Sequence, residues 1–232
     1  MIDVIVTHPR HVDYPVFRHQ LQNLKKFVNK IYIVLMSFNM RPDRTVFLKN
    51  EFNLLDVEII EKEHDPKKDW RDLAVKSALS KSWSDFVLFL EQDFFLSSVA
   101  DFEKIKDTLN EKKVIGFFQG NRLHPAFLIC HKNAIQKINP NFGVSLGKDH
   151  FDVFSYNLRK HYEVITLESL NIEYRHMNGL TQNMTMLQNN ELPSFEIKKF
   201  KTYLSECEML SRVENIRLTR DFRKLKDKLK YV

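Results

Sequence analysis

Cysteine and glycine are both scarce in this sequence. Of its 232 residues only Cys130 and Cys207 are cysteine, and only five are glycine. Two cysteines make neither a disulfide framework nor a cysteine zinc site, so a reducing compartment is the natural expectation. The glycines fall in no Gly-x-Gly-x-x-Gly and no Walker-type pattern, which argues against Rossmann dehydrogenases and P-loop enzymes. No apolar run approaches the roughly 20 residues that a membrane span needs. Met1-Ile2-Asp3-Val4-Ile5-Val6 reads as a core strand, because it lacks the basic region and cleavage site of a signal peptide. There is no internal repeat, low-complexity segment or flexible linker. These absences together predict a soluble, cytoplasmic protein.

What is present is enough apolar material for a core. The hydrophobic fraction is 43%, and the 19 Phe sit largely inside apolar runs such as Phe86-Val87-Leu88-Phe89-Leu90, where packing explains them. The length suits one α/β domain with a small appendage. The net charge of +6 is unevenly placed: residues 212–232 hold eight Lys/Arg against three Asp/Glu. The body is therefore near neutral, and the tail carries the basic character. The expected organisation is a catalytic-size domain over 1–195 and a basic, amphipathic helical extension over 196–232. In that extension Leu218, Phe222, Leu225 and Leu229 form a narrow apolar stripe. The stripe suits packing on the domain with solvated lysines; the alternative is a helix lying on nucleic acid or an anionic membrane face.

The first half alternates strand and helix patterns. Strands are expected at Ile2 to Thr7, Ile31 to Met36, Val57 to Ile60, Phe86 to Leu90 and Val114 to Phe118. Helices are expected at Pro15 to Val28, Thr45 to Phe52, Asp69 to Ser82 and Asp101 to Leu109, with Asp69 as an N-cap. Such alternation predicts a mostly parallel sheet with helices on both faces. The second half is less regular, with a strand at Ala126 to Cys130, helices at Lys132 to Ile138 and Lys148 to Lys160, and a strand at Tyr162 to Leu167. Ligands of such folds bind beyond the carboxyl ends of the strands.

Glu91-Gln92-Asp93 stands at that end of the most apolar strand. Two carboxylates separated by one residue can approach a hard divalent cation together and leave sites for diphosphate oxygens. A phosphate-binding α/β domain without a glycine loop can grip a nucleotide diphosphate through such an ion. Trp70-Arg71-Asp72-Leu73-Ala74, Ala78-Leu79 and then Phe86 to Asp93 make a helix-strand-acid order. This segment resembles the centre of GT-A glycosyltransferases, in particular the large family 2-like group, with Glu91 in place of the first Asp of the Asp-x-Asp motif and Asp93 keeping the last position.

The resemblance implies a Rossmann-like GT-A fold, a nucleotide-diphosphate sugar donor and Mn²⁺ or Mg²⁺ held by Glu91 and Asp93. It places a further metal-binding histidine late in the chain, where His176 stands, and imidazole with carboxylates suits Mn²⁺ better than Ca²⁺. It places the nucleoside against the loop after the first strand, here Thr7-His8-Pro9-Arg10-His11. Ser37 and Asn39 after the second strand, Trp70, Arg71 and Gln92 complete the expected donor-binding set. A catalytic carboxylate at the start of a late helix would take the acceptor proton, and Asp149, with Asp152 in reserve, stands there; an Asp at that position equally serves as a helix cap. His124 and His131 lie toward the expected acceptor side.

The implied activity is metal-dependent sugar transfer to a hydroxyl acceptor, a glycan or a small molecule. Two alternatives remain: the same chemistry on hydroxylated bases of DNA, suggested by the cationic tail, and a non-catalytic nucleotide-sugar-binding protein of the same fold, suggested by Glu91. Beyond an unassigned acceptor, the expected partners are the donor and, through residues 212–232, an anionic surface that would make the protein peripheral to a membrane.

Overall fold

The computed structural model describes residues 1–7, 15–36, 46, 49–50, 53, 55–63, 69–145 and 148–176, with scattered positions from 197 to 229. Strand β1 (Ile2–Thr7) is followed by helix α1 (Pro15–Leu24), β2 (Lys30–Met36) and β3 (Glu58–Lys62). Helix α2 (Trp70–Leu79) leads into β4 (Phe86–Leu90) and the short β5 (Phe94–Leu96). Helix α3 (Phe102–Thr108), β6 (Lys113–Gln119), β7 (Arg122–His131) and α4 (Lys132–Ile138) come next. Two-residue strands β8 (Val144–Ser145) and β9 (Lys148–Asp149) precede α5 (His150–His161), β10 (Glu163–Thr166) and β11 (Tyr174–His176).

Seven strands form one sheet in the order β10-β6-β7-β4-β1-β2-β3. All neighbours in it are parallel except those of β7, which runs antiparallel to both β4 and β6. The sheet is thus mostly parallel, as the alternation predicts, and the reversed β7 comes from a tight hairpin. Gln119 pairs with Arg122, and Gly120 between them has φ +61°, a conformation that glycine adopts at no steric cost.

Alternation of side chains divides the core between the two faces of the sheet. Val4, Val6, Ile31, Ile33, Leu88, Leu90, Ile115 and Ile129 pack with Phe17, Leu21 and Leu24 of α1 and Phe102 and Ile105 of α3. Ile5, Tyr32, Val34, Val87, Phe89, Val114 and Cys130 pack with residues of α2, α4 and α5. Runs such as Phe86 to Leu90 are continuously apolar because they are covered on both sides.

Asp69 caps α2 as the sequence predicts: its carboxylate accepts from the backbone N–H of Arg71 at 2.9 Å and of Asp72 at 3.2 Å. The helix expected at Thr45 to Phe52 falls mostly outside the described residues; the positions described there, Val46, Lys49 and Asn50, are helical. So are those described beyond residue 196, and Ile197, Leu204 and Leu229 among them are buried in the cluster that contains α1 and α3.

Candidate functional site

The carboxyl ends of β1 and β4 lie side by side. Ile5 is the register partner of Phe89, so Thr7, two residues further along, stands level with Glu91. The Glu91 N–H donates to the carbonyl of Ala126 at 2.9 Å, which extends the β4–β7 ladder one residue past the strand. Glu91 and Gln92 are half-buried and Asp93 is buried. The chain then turns into β5, whose antiparallel partner is β11, with His176 opposite Phe94. Strand β5 is fastened to α1 by Gln20, whose amide donates to the Phe94 carbonyl at 2.9 Å and accepts from the Leu96 N–H at 2.7 Å.

This arrangement brings His176 beside the acidic triplet. Its Nε2 lies 3.7 Å from Oδ1 of Asp93, with both side chains nearly closed to solvent. His176 does not stand after the last strand, as the sequence suggests, but ends a strand of its own, β11.

A second imidazole, His124, joins the group from β7. Ligand atoms of Glu91, His124 and His176 all lie within 4.8 Å of one another, and the two rings are 4.5 Å apart between centroids. The cause is an irregularity in the hairpin. Between the pairs Gly116↔Leu128 and Phe118↔Leu123, β6 advances far fewer residues than β7, and Pro125, which has no N–H to give the ladder, lies in the excess. Such bulges re-aim side chains next to sites. Phe117 on β6 lies under both rings, 5.2 Å from each, and it continues into a floor of Phe94, Phe127 and Tyr174.

Burial governs the charge of these imidazoles. Desolvation, with His176 and Arg122 nearby, pushes His124 down to about 3. Desolvation and Arg122 push His176 down to about 4. Both rings are therefore neutral at pH 7, the form that binds metal. Carboxylate and neutral imidazole donors converging from three strands fit a divalent transition ion such as Mn²⁺. The donor atoms that converge are those of Glu91, His124 and His176, with Asp93 beside His176.

The remaining predicted residues are distributed around this cluster. Asp152, in the first turn of α5, has Oδ1 2.6 Å from Nε of Arg122 on β7, and Nη2 of that arginine is 3.4 Å from Nε2 of His124. Asp152 is thus linked to the cluster through one guanidinium. Asp149 ends β9, with its backbone paired to Val144; its side chain lies outside the described residues. Trp70 and Arg71 open α2. Arg71 donates from Nε to the Phe142 carbonyl at 2.7 Å and from Nη2 to that of Gly143 at 3.3 Å, tying α2 to the loop before β8. His8, Arg10, His11, Ser37 and Asn39 lie outside the described residues. His131 is not on the side of His124: it pairs with Phe86 at the opposite end of β4, and its Nδ1 caps α4 by accepting from the Asn133 N–H at 3.1 Å.

No family model and no curated protein matches the sequence. The fold does have solved counterparts. The mannosyltransferase PcManGT from Pyrobaculum calidifontis, solved in complex with GDP-Man and Mn²⁺, superposes with a TM-score of 0.56 at 9% identity, over 99% of this chain and 69% of that one. A TarS structure from S. aureus gives a TM-score of 0.56 at 13% identity, over 84% of this chain and 65% of that one. The same protein in complex with UDP-GlcNAc gives 0.51 at 14% identity, over 72% and 55%. This chain thus spans less than two thirds of the TarS chains it matches. At these identities the likeness establishes the fold, which is the GT-A fold that the Glu91-Gln92-Asp93 segment resembles.

Proposed function

We propose that the protein is a metal-dependent glycosyltransferase that moves a sugar from a nucleotide-diphosphate donor to a hydroxyl acceptor, a glycan or a small molecule. The observation that carries this reading is the convergence of Glu91, His124 and His176, with Asp93 3.7 Å from His176, at the carboxyl ends of the central strands. Fold alone does not imply function, but a donor set of this chemistry in that place supports it. A bound Mn²⁺ or Mg²⁺ would neutralise the diphosphate as the sugar departs.

The chain's own groups have separable tasks. Thr7, level with Glu91, would face the nucleoside together with His8, Arg10, Ser37, Trp70 and Gln92. Arg71 holds α2 against Phe142 and Gly143, which supports a positioning task more than direct donor contact. Asp149 or Asp152 would accept the acceptor's proton. The ion pair of Asp152 with Arg122 holds that carboxylate near the Glu91/His124/His176 cluster. Leu229 is buried in the core, which supports reading 196–232 as an extension packed on a 1–195 domain, and leaves transfer to DNA bases resting on tail charge alone.

Thermal shifts with UDP-, GDP-, TDP- and CMP-sugars test the reading, with Mn²⁺ and with EDTA, on wild type and Asp93→Ala. The expected outcome is a metal-dependent shift for one diphosphate donor, absent in Asp93→Ala. A folded wild type that responds to no diphosphate donor would leave a binding protein of the same fold.

A further inference from the structure

Two neighbouring side chains of β7 have a polarity that metal coordination does not explain. Nδ1 of His124 accepts a hydrogen bond from the Ala126 N–H at 3.1 Å. A ring nitrogen that accepts carries no proton, so the ring's hydrogen sits on Nε2 and makes that atom a donor. A metal-binding histidine has the opposite arrangement, since its second nitrogen donates to a carbonyl or a carboxylate. His124 therefore stands next to the ion's ligands without being suited to join them through Nε2.

That donor stands beside a second donor. Nε2 is 3.4 Å from Nη2 of Arg122, and a guanidinium only donates. Asp152 pairs with the same guanidinium, its Oδ1 lying 2.6 Å from Nε, which keeps that side chain beside the imidazole. The contact becomes favourable when one oxygen anion accepts from both nitrogens, because charge-assisted bonds then replace a meeting of two N–H groups. The Arg122 side chain is 39% exposed, so a ligand can reach it. On the other side the His124 ring lies 4.5 Å from that of His176. An oxyanion held here is beside the metal cluster.

We propose that Arg122 and His124 form a two-donor oxyanion site that takes a phosphate oxygen of the nucleotide-sugar donor, beside the ion and outside its ligand set. The assignment rests on the glycosyl-transfer reading and deepens it. Negative charge on the diphosphate grows as the bond to the sugar breaks, so two fixed donors aimed at that oxygen hold the leaving group more tightly than the intact donor. Asp152 acts as the positioning residue that orients Arg122.

Inorganic pyrophosphate is the probe, titrated calorimetrically with Mn²⁺ and with EDTA, while Mn²⁺ binding alone is followed by electron paramagnetic resonance. Arg122→Gln is expected to weaken pyrophosphate about 10- to 100-fold, the effect of one charge-assisted bond, and to leave Mn²⁺ affinity within about threefold. His124→Phe acts in the same direction, about tenfold by the same reasoning. Arg122→Lys keeps a charge opposite Asp152 and is expected to recover part of the loss, which separates loss of the site from loss of the fold. In the metal-free wild type, ¹⁵N resonances of His124 are expected to show Nδ1 unprotonated and Nε2 protonated.

The proposal is overturned if His124→Phe loses Mn²⁺ affinity by more than about 100-fold, beyond the roughly 10- to 100-fold that a residue outside the ligand set costs. It is equally overturned if Nδ1 carries the proton, or if pyrophosphate binding is indifferent to Arg122. A nucleotide sugar that binds wild type and Arg122→Gln alike leaves the transfer reading standing and removes this site. Pyrophosphate binding that depends on Arg122, in a protein that binds no nucleotide sugar, does the reverse.

Discussion

Asp3 shows how one side chain can anchor a fold without touching its site. It is fully buried at the amino end of β1, opposite the cluster of Glu91, His124 and His176. Its carboxylate accepts from Asn29 Nδ2 at 2.9 Å, Ser82 Oγ at 2.7 Å, Ser84 Oγ at 2.8 Å and the N–H groups of Trp83 and Ser84. Burial pushes its pKa up, but the bonds from Asn29, Ser82 and Ser84 outweigh burial and hold it below the ordinary carboxylate value. A group depressed in the folded state contributes its full stability above the unfolded value of about 4 and loses it as pH falls through the folded value. Asp3→Asn is therefore expected to cost about 2–4 kcal/mol at pH 7, since several donors to a charged acceptor are weakened, and to flatten the loss of stability below pH 4. Urea melts across pH 2–7 measure both. Equal slopes below pH 4 in the two proteins would refute the assignment.

At the same scale, the sequence makes Glu91 and Asp93 visible because their spacing and their strand are local. His124 carries no such signal. Its place depends on the irregularity in β7 and on the pairing of that strand with β4, which are not properties of residues 122–126 alone.

Among elements, β5 and β11 are the pair that sets His176, and both are three residues long. An isolated pair of this size is not stable, so its hold on α1 through Gln20 matters. Gln20 replaces a strand neighbour by accepting from Leu96 and donating to Phe94. Gln20→Leu leaves a buried N–H and a buried carbonyl unmade, at about 1–3 kcal/mol for each. The expected result is a total loss of about 2–5 kcal/mol together with weaker Mn²⁺ binding, because His176 moves with β11. Mn²⁺ affinity unchanged in a destabilised protein would show that His176 is placed by other contacts.

The turn before β8 is another element set by a close approach. A Cβ at Gly143 would come 2.3 Å from Cγ of Asp69, so the loop that Arg71 grips reaches the cap of α2 only with glycine there. The hairpin of β6 and β7 was legible in principle, since Gly120-Asn121 between two apolar runs is a known two-residue turn signal. The strand pattern at 126–130 is visible in the sequence, but its direction is not, because an apolar run buried on both faces reads the same either way.

For the whole molecule, the question is whether the basic tail belongs to the fold. Ile197, Leu204 and Leu229 are buried in the cluster of α1 and α3, and Lys226 forms an ion pair with Glu208. Leu229→Ala is accordingly expected to cost about 2–4 kcal/mol, the range for a leucine removed from a packed interior. A helix lying on an outside surface would give a change close to zero, so a denaturant melt separates the two.

The sequence by itself determined the order of the longer strands and helices from β1 to β6, the two-faced burial of the central strands and the acidic pair at the end of β4. Each of these follows from spacing along the chain: apolar periodicity, a capping aspartate, two carboxylates separated by one residue. Tertiary structure decided what stands around that pair. It brought His176 from far along the chain through the β5–β11 pairing, and it turned β7 so that His124 and Arg122 face the cluster. It also linked Asp152 to the same group through Arg122. These are contacts between residues distant in sequence, and sheet order and register, rather than any local pattern, determine which of them meet.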